Sequence, residues 1–302
     1  MLTDPDQFND IREGVRAVCA EFPDEYHWKI DHDRAYPEAF VAALTKAGWM
    51  AALIPEKYGG SGLLLTAASV IMEEINHTGG NSGDCQGQMY NMNILIRHRS
   101  EEQKRLYLPK IASGEQRLQS MGVTEPTAGK DTTNITTTAV RKGDRYVING
   151  QKVWISRVKH SDLMILLART TPLEKVKKKS QGLSIFLVDI HDAVKSGMSV
   201  GPIDNMVNHQ TNELFFDNLE IPAENLIAEE SLGFKYIMTG LNAERALNAA
   251  ECIGDGYWFI HKVAAHTSER KVFGRPIGQN QDVQFLIAEA FKEAEAADLM
   301  RY

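Results

Sequence analysis

Residues Val123 to Ser156 give the clearest indication of the fold. They begin V-T-E-P-T-A-G-K-D (residues 123–131) and end G-D-R-Y-V-I-N-G-Q-K-V-W-I-S (residues 143–156). Branched and aromatic residues on both sides of Asn149-Gly150 predict two strands joined by a type I′ hairpin turn. Pro126 disfavours helix at the residue before it, so the first half is predicted to be extended chain that enters a loop.

The loop that follows Pro126 consists mostly of small residues, Thr127 to Lys130. Small residues let a ligand approach the backbone, whose N–H groups can bind carbonyls or phosphates. An ordinary polar turn is the simpler interpretation of the same residues. Trp154 is likewise either a core residue of a strand, the commoner case, or an aromatic wall for a flat ligand. Ser156 could be a strand-end hydroxyl without a further role.

Outward from this stretch, the N-terminal region (residues 1–117) is predicted to be an all-α domain. The predicted helices run through Phe8–Val18, from Pro37 to Gly48, over about Thr66–Asn76, and from the capping box Ser100–Gln103 to about Gly114.

Periodicity changes to that of strands near Leu118, and residues 118–230 are predicted to form an antiparallel β-sandwich or barrel. Besides the hairpin, the predicted strands are Ile135–Val140, Leu163–Ala168, Leu183–Val188 and Glu213–Phe216. Residues 231–302 are predicted to be helical, with helices from Gly233, from Ile253 and from Val283. The last helix reaches Tyr302 without a stop signal, so we expect this helical bundle to be truncated. The fold class is thus α+β and multidomain.

Composition limits the functional classes. The 302 residues carry a formal net charge of −7, which gives no reason to expect a nucleic-acid partner. The lysines of residues 175–179 are interpreted as a solvated hairpin loop. The three cysteines have no metal-ligand spacing, so no metal site is predicted and a reduced, cytoplasmic location is the default. The polar start is not a targeting peptide, and no apolar run could span a membrane.

The T-E-P motif, the small-residue loop ending in Asp131, the N-G-Q-K motif and the W-I-S ending together resemble the middle domain of the acyl-CoA dehydrogenase family. A second resemblance lies in E-R-K-V-F-G-R-P-I, residues 269–277, followed by Asn280-Gln281. I-P-E-K-Y-G-G (residues 54–60) and S-E-E-Q-K (residues 100–104) match the helical N-terminal domain of the same family. The resemblance covers essentially the whole chain.

The resemblance implies FAD as cofactor. It implies that Thr124 hydrogen-bonds the flavin ring, that Trp154 packs on the isoalloxazine and that Ser156 reaches the region of N5. Arg270 would contact the flavin pyrophosphate across a dimer interface, as charge-assisted contacts favour. The full set of implied cofactor-binding residues is Met121, Val123, Thr124, Gly129, Lys130, Trp154, Ile155, Ser156, Arg270, Phe273, Asn280 and Gln281. Lys130 and Thr127 depart from the family, which usually has a small hydroxyl residue and a glycine there.

The family reaction removes a proton α to a thioester and passes a hydride from the β carbon to flavin N5. The base must be a desolvated carboxylate close to the α carbon. A minority of members place it on the helix that opens the C-terminal domain, where Glu244 lies in this chain; most place it later. Lys130, Asn242 and Arg245 are the implied substrate contacts. From the residues alone, Glu244 and Arg245 are surface charges, and Glu251 is a weaker candidate base.

The implied partners are an acyl-CoA substrate, an electron-transfer flavoprotein as electron acceptor and a second copy of the chain, in a homodimer or homotetramer. Neither nucleic acid nor membrane is an expected partner. One alternative is a related oxidase or monooxygenase with another substrate, because such enzymes share the fold. The other is a non-catalytic flavin-binding fragment, which the expected truncation motivates.

Overall fold

The computed structural model describes residues 5–301. The first four residues, part of the polar start discussed above, and Tyr302 lie outside the described residues. Contacts within the chain divide it into two compact units. The first contains residues 5–28, 64–83 and 245–301, and the second contains residues 29–63 and 84–244.

Most helices lie toward the two ends of the chain, and most strands lie in its middle. The helices are α1 (Asn9–Cys19), α2 (Asp24–His32), α3 (Glu38–Lys46), α4 (Leu65–His77), α5 (Gly83–His98), α6 (Glu101–Ser113), α7 (Ile190–Lys195), α8 (Gly233–Glu269) and α9 (Gln281–Arg301). The strands are β1 (Ser120–Gly122), β2 (Thr138–Lys142), β3 (Arg145–Ser156), β4 (Leu163–Arg169), β5 (Leu183–Asp189), β6 (Met198–Pro202), β7 (Thr211–Pro222), β8 (Leu226–Ile227), β9 (Lys271–Val272) and β10 (Arg275–Pro276). Among the described residues, no helix is long and apolar enough to cross a bilayer.

The predicted capping box at the start of α6 is confirmed. The Ser100 hydroxyl accepts a hydrogen bond from the Gln103 N–H (3.2 Å), and the Gln103 side chain accepts one from the Ser100 N–H (3.3 Å). Gly114 ends the helix with φ of +79°, as a C-terminal glycine does. Helices α2 and α5 were not predicted, since α5 is rich in polar residues and glycine and lacks an apolar stripe.

The predicted β domain is confirmed, with a sheet order of β6-β7-β3-β2-β4-β5-β8. Most neighbours are antiparallel, but β1 and β2 each pair with β4 in parallel, so the sheet is mixed. Alternate residues of β4 and β5 enter two different cores. One core includes residues of α5 and α6, and the other joins β4 and β5 to Tyr146 of β3 and Leu214 of β7. Both faces of β4 and β5 are therefore buried.

The hairpin predicted at Asn149-Gly150 is wrong. Strand β3 runs without interruption from Arg145 to Ser156, and the turn between β2 and β3 falls at Gly143-Asp144. The pairing of β3 with β7 shifts between Ile148 and Gly150, which marks a β-bulge. Gly150 has φ of +146°, and a Cβ there would lie 2.7 Å from the Cα of Thr137. Gly150 therefore allows the backbone at Thr137 to come close to β3, and it does not mark a reversal of the chain.

The separate helix predicted from Ile253 is also wrong, because α8 continues unbroken from Gly233 to Glu269. Its glycines do not end it. A Cβ on Gly254 would lie 2.2 Å from the carbonyl oxygen of Glu73, so this glycine allows α8 and α4 to pack closely. Helix α9 begins two residues before the predicted Val283, and near its end the Arg301 side chain, 3% exposed, pairs with Glu73 of α4 (2.6 Å).

Candidate functional site

Glu125 and Lys152, from the T-E-P and N-G-Q-K motifs, form a buried ion pair. The Lys152 side chain is 0% exposed, and its Nζ lies 2.8 Å from Glu125 Oε1 and 3.0 Å from the Val123 carbonyl oxygen. The Glu125 carboxylate also accepts hydrogen bonds from the N–H of Thr136 (2.6 Å) and of Thr137 (3.0 Å). These contacts fix the segment around Thr124 against β3.

Burial by itself would raise the pKa of Glu125. The Lys152 ammonium and the hydrogen bonds from Thr136 and Thr137 outweigh that effect and lower the pKa to about 2. Glu125 is therefore ionised at neutral pH and fully occupied by its partners. Its role is to hold the surrounding chain, and it is not a candidate proton acceptor.

Thr124 and Trp154 are brought together at the end of β3. The Val153 N–H donates a hydrogen bond to the Thr124 carbonyl oxygen (3.0 Å), so the two motifs run side by side. Trp154 is 58% exposed and has φ of +62°. The interpretation of Trp154 as a core residue is therefore wrong. A left-handed tryptophan costs about 1–3 kcal/mol, and such strain concentrates at ligand sites.

Ser156 is half-buried and fixed from two sides. Its hydroxyl accepts a hydrogen bond from Asn208 Nδ2 (3.0 Å), and its carbonyl oxygen accepts one from the Ser120 hydroxyl (2.8 Å). The next residue, Arg157, again has a left-handed backbone, with φ of +61°. An exposed aromatic face beside a held hydroxyl is an arrangement that can bind the face and edge of a flat heteroaromatic ring.

The other predicted cofactor residues of the second unit differ in how accessible they are to a ligand. Met121 and Val123 are half-buried and pack against the helix-side core. Ile155 is buried in the other core, so only its backbone could contact a ligand. Gly129 and Lys130 are exposed at the tip of the loop. They are therefore accessible to a ligand in a way that Ile155 is not.

The loop that carries Gly129 is closed by a tight turn. The Ala128 N–H donates to the Glu125 carbonyl oxygen (3.1 Å), and Ala128 is buried. The Thr133 hydroxyl donates to the Asp131 carboxylate (2.6 Å), which orders the exit from the loop. A Cβ on Gly129 would have no neighbour within 4 Å, so the tip faces open space.

The predicted base and substrate contacts lie on α8. Glu244 is half-buried and follows the buried Ala243, whereas Asn242 and Arg245 are exposed. A half-buried carboxylate suits a group that must be partly removed from water. Glu251, the weaker candidate, accepts a hydrogen bond from the Ser82 hydroxyl at 2.6 Å.

In the first unit, the segment that follows α8 forms a short hairpin of β9 and β10. Its tip is Phe273, which is fully exposed and has φ of +52°. Arg270 and Gln281 are exposed at the start of the hairpin and of α9. Asn280 is occupied, since its side chain accepts from Arg275 Nη2 (2.9 Å) and donates to the Ile277 carbonyl oxygen (3.0 Å). Asn280 therefore shapes the loop, while Arg270 and Phe273 are accessible to ligands or partners.

Two features were missed by the sequence interpretation. The pairing of Glu125 with Lys152 was not predicted, although two opposite charges inside β-rich motifs are a usable signal, because buried charges are almost always paired. Arg157 was not singled out at all. Among residues 5–301, no cluster of His, Cys, Asp and Glu side chains suited to a metal ion was found.

Three family models match consecutive parts of the chain. The model of the acyl-CoA dehydrogenase N-terminal domain matches residues 5–115, that of the middle domain matches residues 120–219, and that of the C-terminal domain matches residues 232–302.

Curated proteins and solved structures agree with these matches. A cyclohex-1-ene-1-carbonyl-CoA dehydrogenase from Syntrophus aciditrophicus is 34% identical over 90% of this chain, which spans 65% of its length. A probable acyl-CoA dehydrogenase from Mycobacterium tuberculosis is 30% identical over 99% of this chain and 76% of its own length. A complex of glutaryl-CoA dehydrogenase with glutaryl-CoA superimposes with a TM-score of 0.92 at 28% identity, covering 100% of this chain and 76% of that one. Butyryl-CoA dehydrogenase from Megasphaera elsdenii gives 0.89 at 27% identity, covering 100% and 79%.

Proposed function

Since the chain belongs to the acyl-CoA dehydrogenase family of flavin-dependent oxidoreductases, we propose that it binds FAD and oxidises an acyl-CoA thioester between the α and β carbons. The observation that carries this proposal is Trp154, an exposed aromatic ring held in a strained backbone beside Thr124 and Ser156. A core tryptophan would need neither the exposure nor the strain. The same three family matches support the division into domains at residues 117/118 and 230/231.

The residues fit FAD at both of its ends. Thr124, Trp154 and Ser156 would contact the isoalloxazine, with Met121, Val123 and the Ile155 backbone beside them. Arg270, with Phe273 and Gln281, would serve the pyrophosphate of a flavin bound by a second copy of the chain. The exposure of all three residues supports this role. When bound, FAD supplies the hydride acceptor of the reaction.

The chain's own chemistry is proton removal. Glu244 would take the proton from the carbon α to the thioester, and bound FAD would supply the acceptor for the hydride from the β carbon, so that a double bond forms between the two carbons. Asn242 and Arg245 hold the acyl-CoA and the carboxylate in register. Lys130 would contact the pantetheine or pyrophosphate of the substrate, and its exposure at the loop tip supports this role. The relatives act on different acyl groups by name, so the substrate class is acyl-CoA.

Anaerobic titration of the FAD-loaded chain with acyl-CoA thioesters of increasing length tests the proposal, with Glu244→Gln and Glu251→Gln as matched variants. We expect thioesters to bleach the flavin band of the wild type and of Glu251→Gln, and Glu244→Gln to bind FAD without being reduced. Reduction of Glu244→Gln at the wild-type rate would exclude it as the base. If no thioester bleached the bound flavin, the dehydrogenase activity would be excluded, and the non-catalytic flavin-binding alternative would remain.

We also propose an electron-transfer flavoprotein as the electron acceptor and a homodimer or homotetramer as the assembly. A solved structure whose description names the electron-transferring flavoprotein of Acidaminococcus fermentans superimposes with a TM-score of 0.91. The second candidate function is an oxidase, because a prolyl acyl carrier protein oxidase superimposes with a TM-score of 0.84 at 25% identity. Fast reoxidation of the reduced flavin by oxygen would favour the oxidase, and slow reoxidation the dehydrogenase.

A further inference from the structure

Immediately after the predicted flavin-facing segment, Arg157 forms a buried ion pair with Asp84. Arg157 Nε donates to Asp84 Oδ1, and the two side chains are only 13% and 9% exposed. Asp84 lies in the first turn of α5. One turn later, a Cβ on Gly87 would lie 3.6 Å from Arg157 Nη1, so the helix packs directly on the guanidinium.

The backbone around this pair is strained on both sides of Ser156. Trp154 and Arg157 both have left-handed φ angles, +62° and +61°. Each such non-glycine residue costs about 1–3 kcal/mol and persists only where the surroundings hold it. The pairing of β3 with β7 also shifts between Lys152 and Ile155 and resumes at Ile155 with Asn212, so Trp154 stands outside the regular pairing.

Separate anchors hold the two ends of the strained segment. Before it, Lys152 is bound to Glu125. After it, the Arg157 N–H donates to the Gln210 carbonyl oxygen (2.8 Å), and the Arg157 side chain is held by Asp84. Burial would lower the pKa of Arg157, but the Asp84 carboxylate outweighs that effect and raises it, so the guanidinium stays charged.

We propose that the Asp84–Arg157 ion pair is a positioning device that holds the Trp154 ring and the Ser156 hydroxyl in the geometry that binds flavin. It acts through the backbone. The ion pair keeps Arg157 in the left-handed conformation, and this conformation fixes the position of the preceding residue, Ser156. The proposal rests on the proposed function only in that Trp154 and Ser156 face the flavin. The anchoring of the segment itself does not depend on any ligand.

The test uses Asp84→Asn and Arg157→Lys in the full chain, with Arg12→Lys as a matched control. Arg12 is also an arginine paired with a buried carboxylate, Glu73 Oε2 at 2.8 Å, but it lies outside this segment. Hydrogen exchange of a peptide covering residues 153–158 is measured without FAD. The absorption spectrum and midpoint potential of the bound flavin are measured with it. Arg157→Lys keeps the positive charge and serves if Asp84→Asn does not fold.

We expect exchange of the 153–158 peptide to be at least about tenfold faster in both variants, because local opening becomes easier. We also expect a shifted flavin band and potential. Arg12→Lys should change neither, although its global stability falls. Wild-type exchange and a wild-type flavin spectrum in a folded variant would overturn the proposal. If the wild type bound no FAD, the proposed function would fail, and the exchange measurement alone would decide whether the pair positions the segment.

Discussion

Lys152 Nζ lies 2.8 Å from Glu125 Oε1 in a place that water does not reach. The two residues belong to the two motifs from which a ligand site is predicted, yet they bind each other and not a ligand. Their contact ties the T-E-P segment to β3 and so places Thr124 beside Trp154. Residues of a motif can thus contribute to a site indirectly, by fixing the backbone that carries the ligand-facing residues.

Removal of the Lys152 ammonium should be strongly destabilising. Lys152→Met leaves the Glu125 carboxylate buried without a counter-charge, and breaking a buried pair in this way costs about 3–5 kcal/mol. The double variant Lys152→Met, Glu125→Gln should regain at least about 1 kcal/mol, since no buried charge remains. Urea unfolding followed by circular dichroism measures both. Lys29→Met, at an exposed pair with Asp33, is the control and should cost at most about 1 kcal/mol. Equal losses for Lys29→Met and Lys152→Met would contradict the role of burial.

The same pair should make stability depend on pH in the acid range. The pKa of Glu125 is about 2 in the folded chain, whereas that of an unperturbed glutamate is 4.5. Because the folded value is the lower one, its contribution is present above about pH 4.5 and is lost as the pH falls toward 2. The loss amounts to about 3 kcal/mol. The free energy of unfolding should therefore fall more steeply between pH 5 and about pH 3 in the wild type than in the double variant. Parallel curves for the two proteins would rule out this contribution.

The Asn149-Gly150 pair shows where a local pattern was insufficient. Both Gly143-Asp144 and Asn149-Gly150 are turn sequences, and only one of them can end a strand in a given pairing. The choice depends on Thr137, which comes close to Gly150, and on β7, which pairs with β3 on both sides of Asn149. Neither contact is visible in a short window of sequence. The Ser100–Gln103 capping box was predictable because all of its partners lie within four residues.

Matched substitutions at the two glycines distinguish a bulge from a turn. Gly150→Asn should cost about 3 kcal/mol, because φ is +146° and the new Cβ would overlap Thr137. Gly143→Asn should cost less than about 1 kcal/mol, because its φ of +64° suits asparagine and a Cβ there meets nothing within 4 Å. Urea unfolding midpoints of the two variants make the comparison. If Gly143→Asn were more destabilising than Gly150→Asn, the prediction of a hairpin turn at Asn149-Gly150 would be correct after all.

The residues of the candidate site stay predictions, whereas the contacts that support them became visible only in the structure. Trp154 and Ser156 were found by resemblance, and the structure adds that one is exposed and the other held by Asn208. Arg157 could not be found, because its partner Asp84 lies 73 positions earlier and on a helix that the pattern concealed. An ion pair between two residues far apart in the sequence produces no periodic pattern from which it could be predicted.

Relief of the backbone strain at Trp154 should stabilise the fold while weakening flavin binding. Glycine adopts a φ of +62° freely, and Trp154 is exposed, so Trp154→Gly should raise the free energy of unfolding by about 1 kcal/mol. The same change should weaken FAD binding by up to about tenfold, because stacking contributes about 0.5–1.5 kcal/mol per ring pair. Trp154→Phe keeps an aromatic ring and should retain most of the affinity. Chemical unfolding and fluorescence titration with FAD give the two quantities. Unchanged FAD affinity in Trp154→Gly would remove this residue from the flavin site.

The exposed tip of the β9–β10 hairpin should control association of the chain. Phe273 is fully exposed at φ of +52°, beside the half-exposed Val272, and an apolar ring presented in this way to water is typical of a surface that meets a partner. Phe273→Glu should therefore shift the chain toward smaller species in sedimentation velocity and weaken FAD binding, if the flavin is shared between two copies. Val140→Glu places the same charge at an exposed apolar site on β2 and should leave the sedimentation profile unchanged. A change in association without a change in FAD affinity would mean that each copy binds its flavin alone. No change in either would place the contact between copies elsewhere than at this tip.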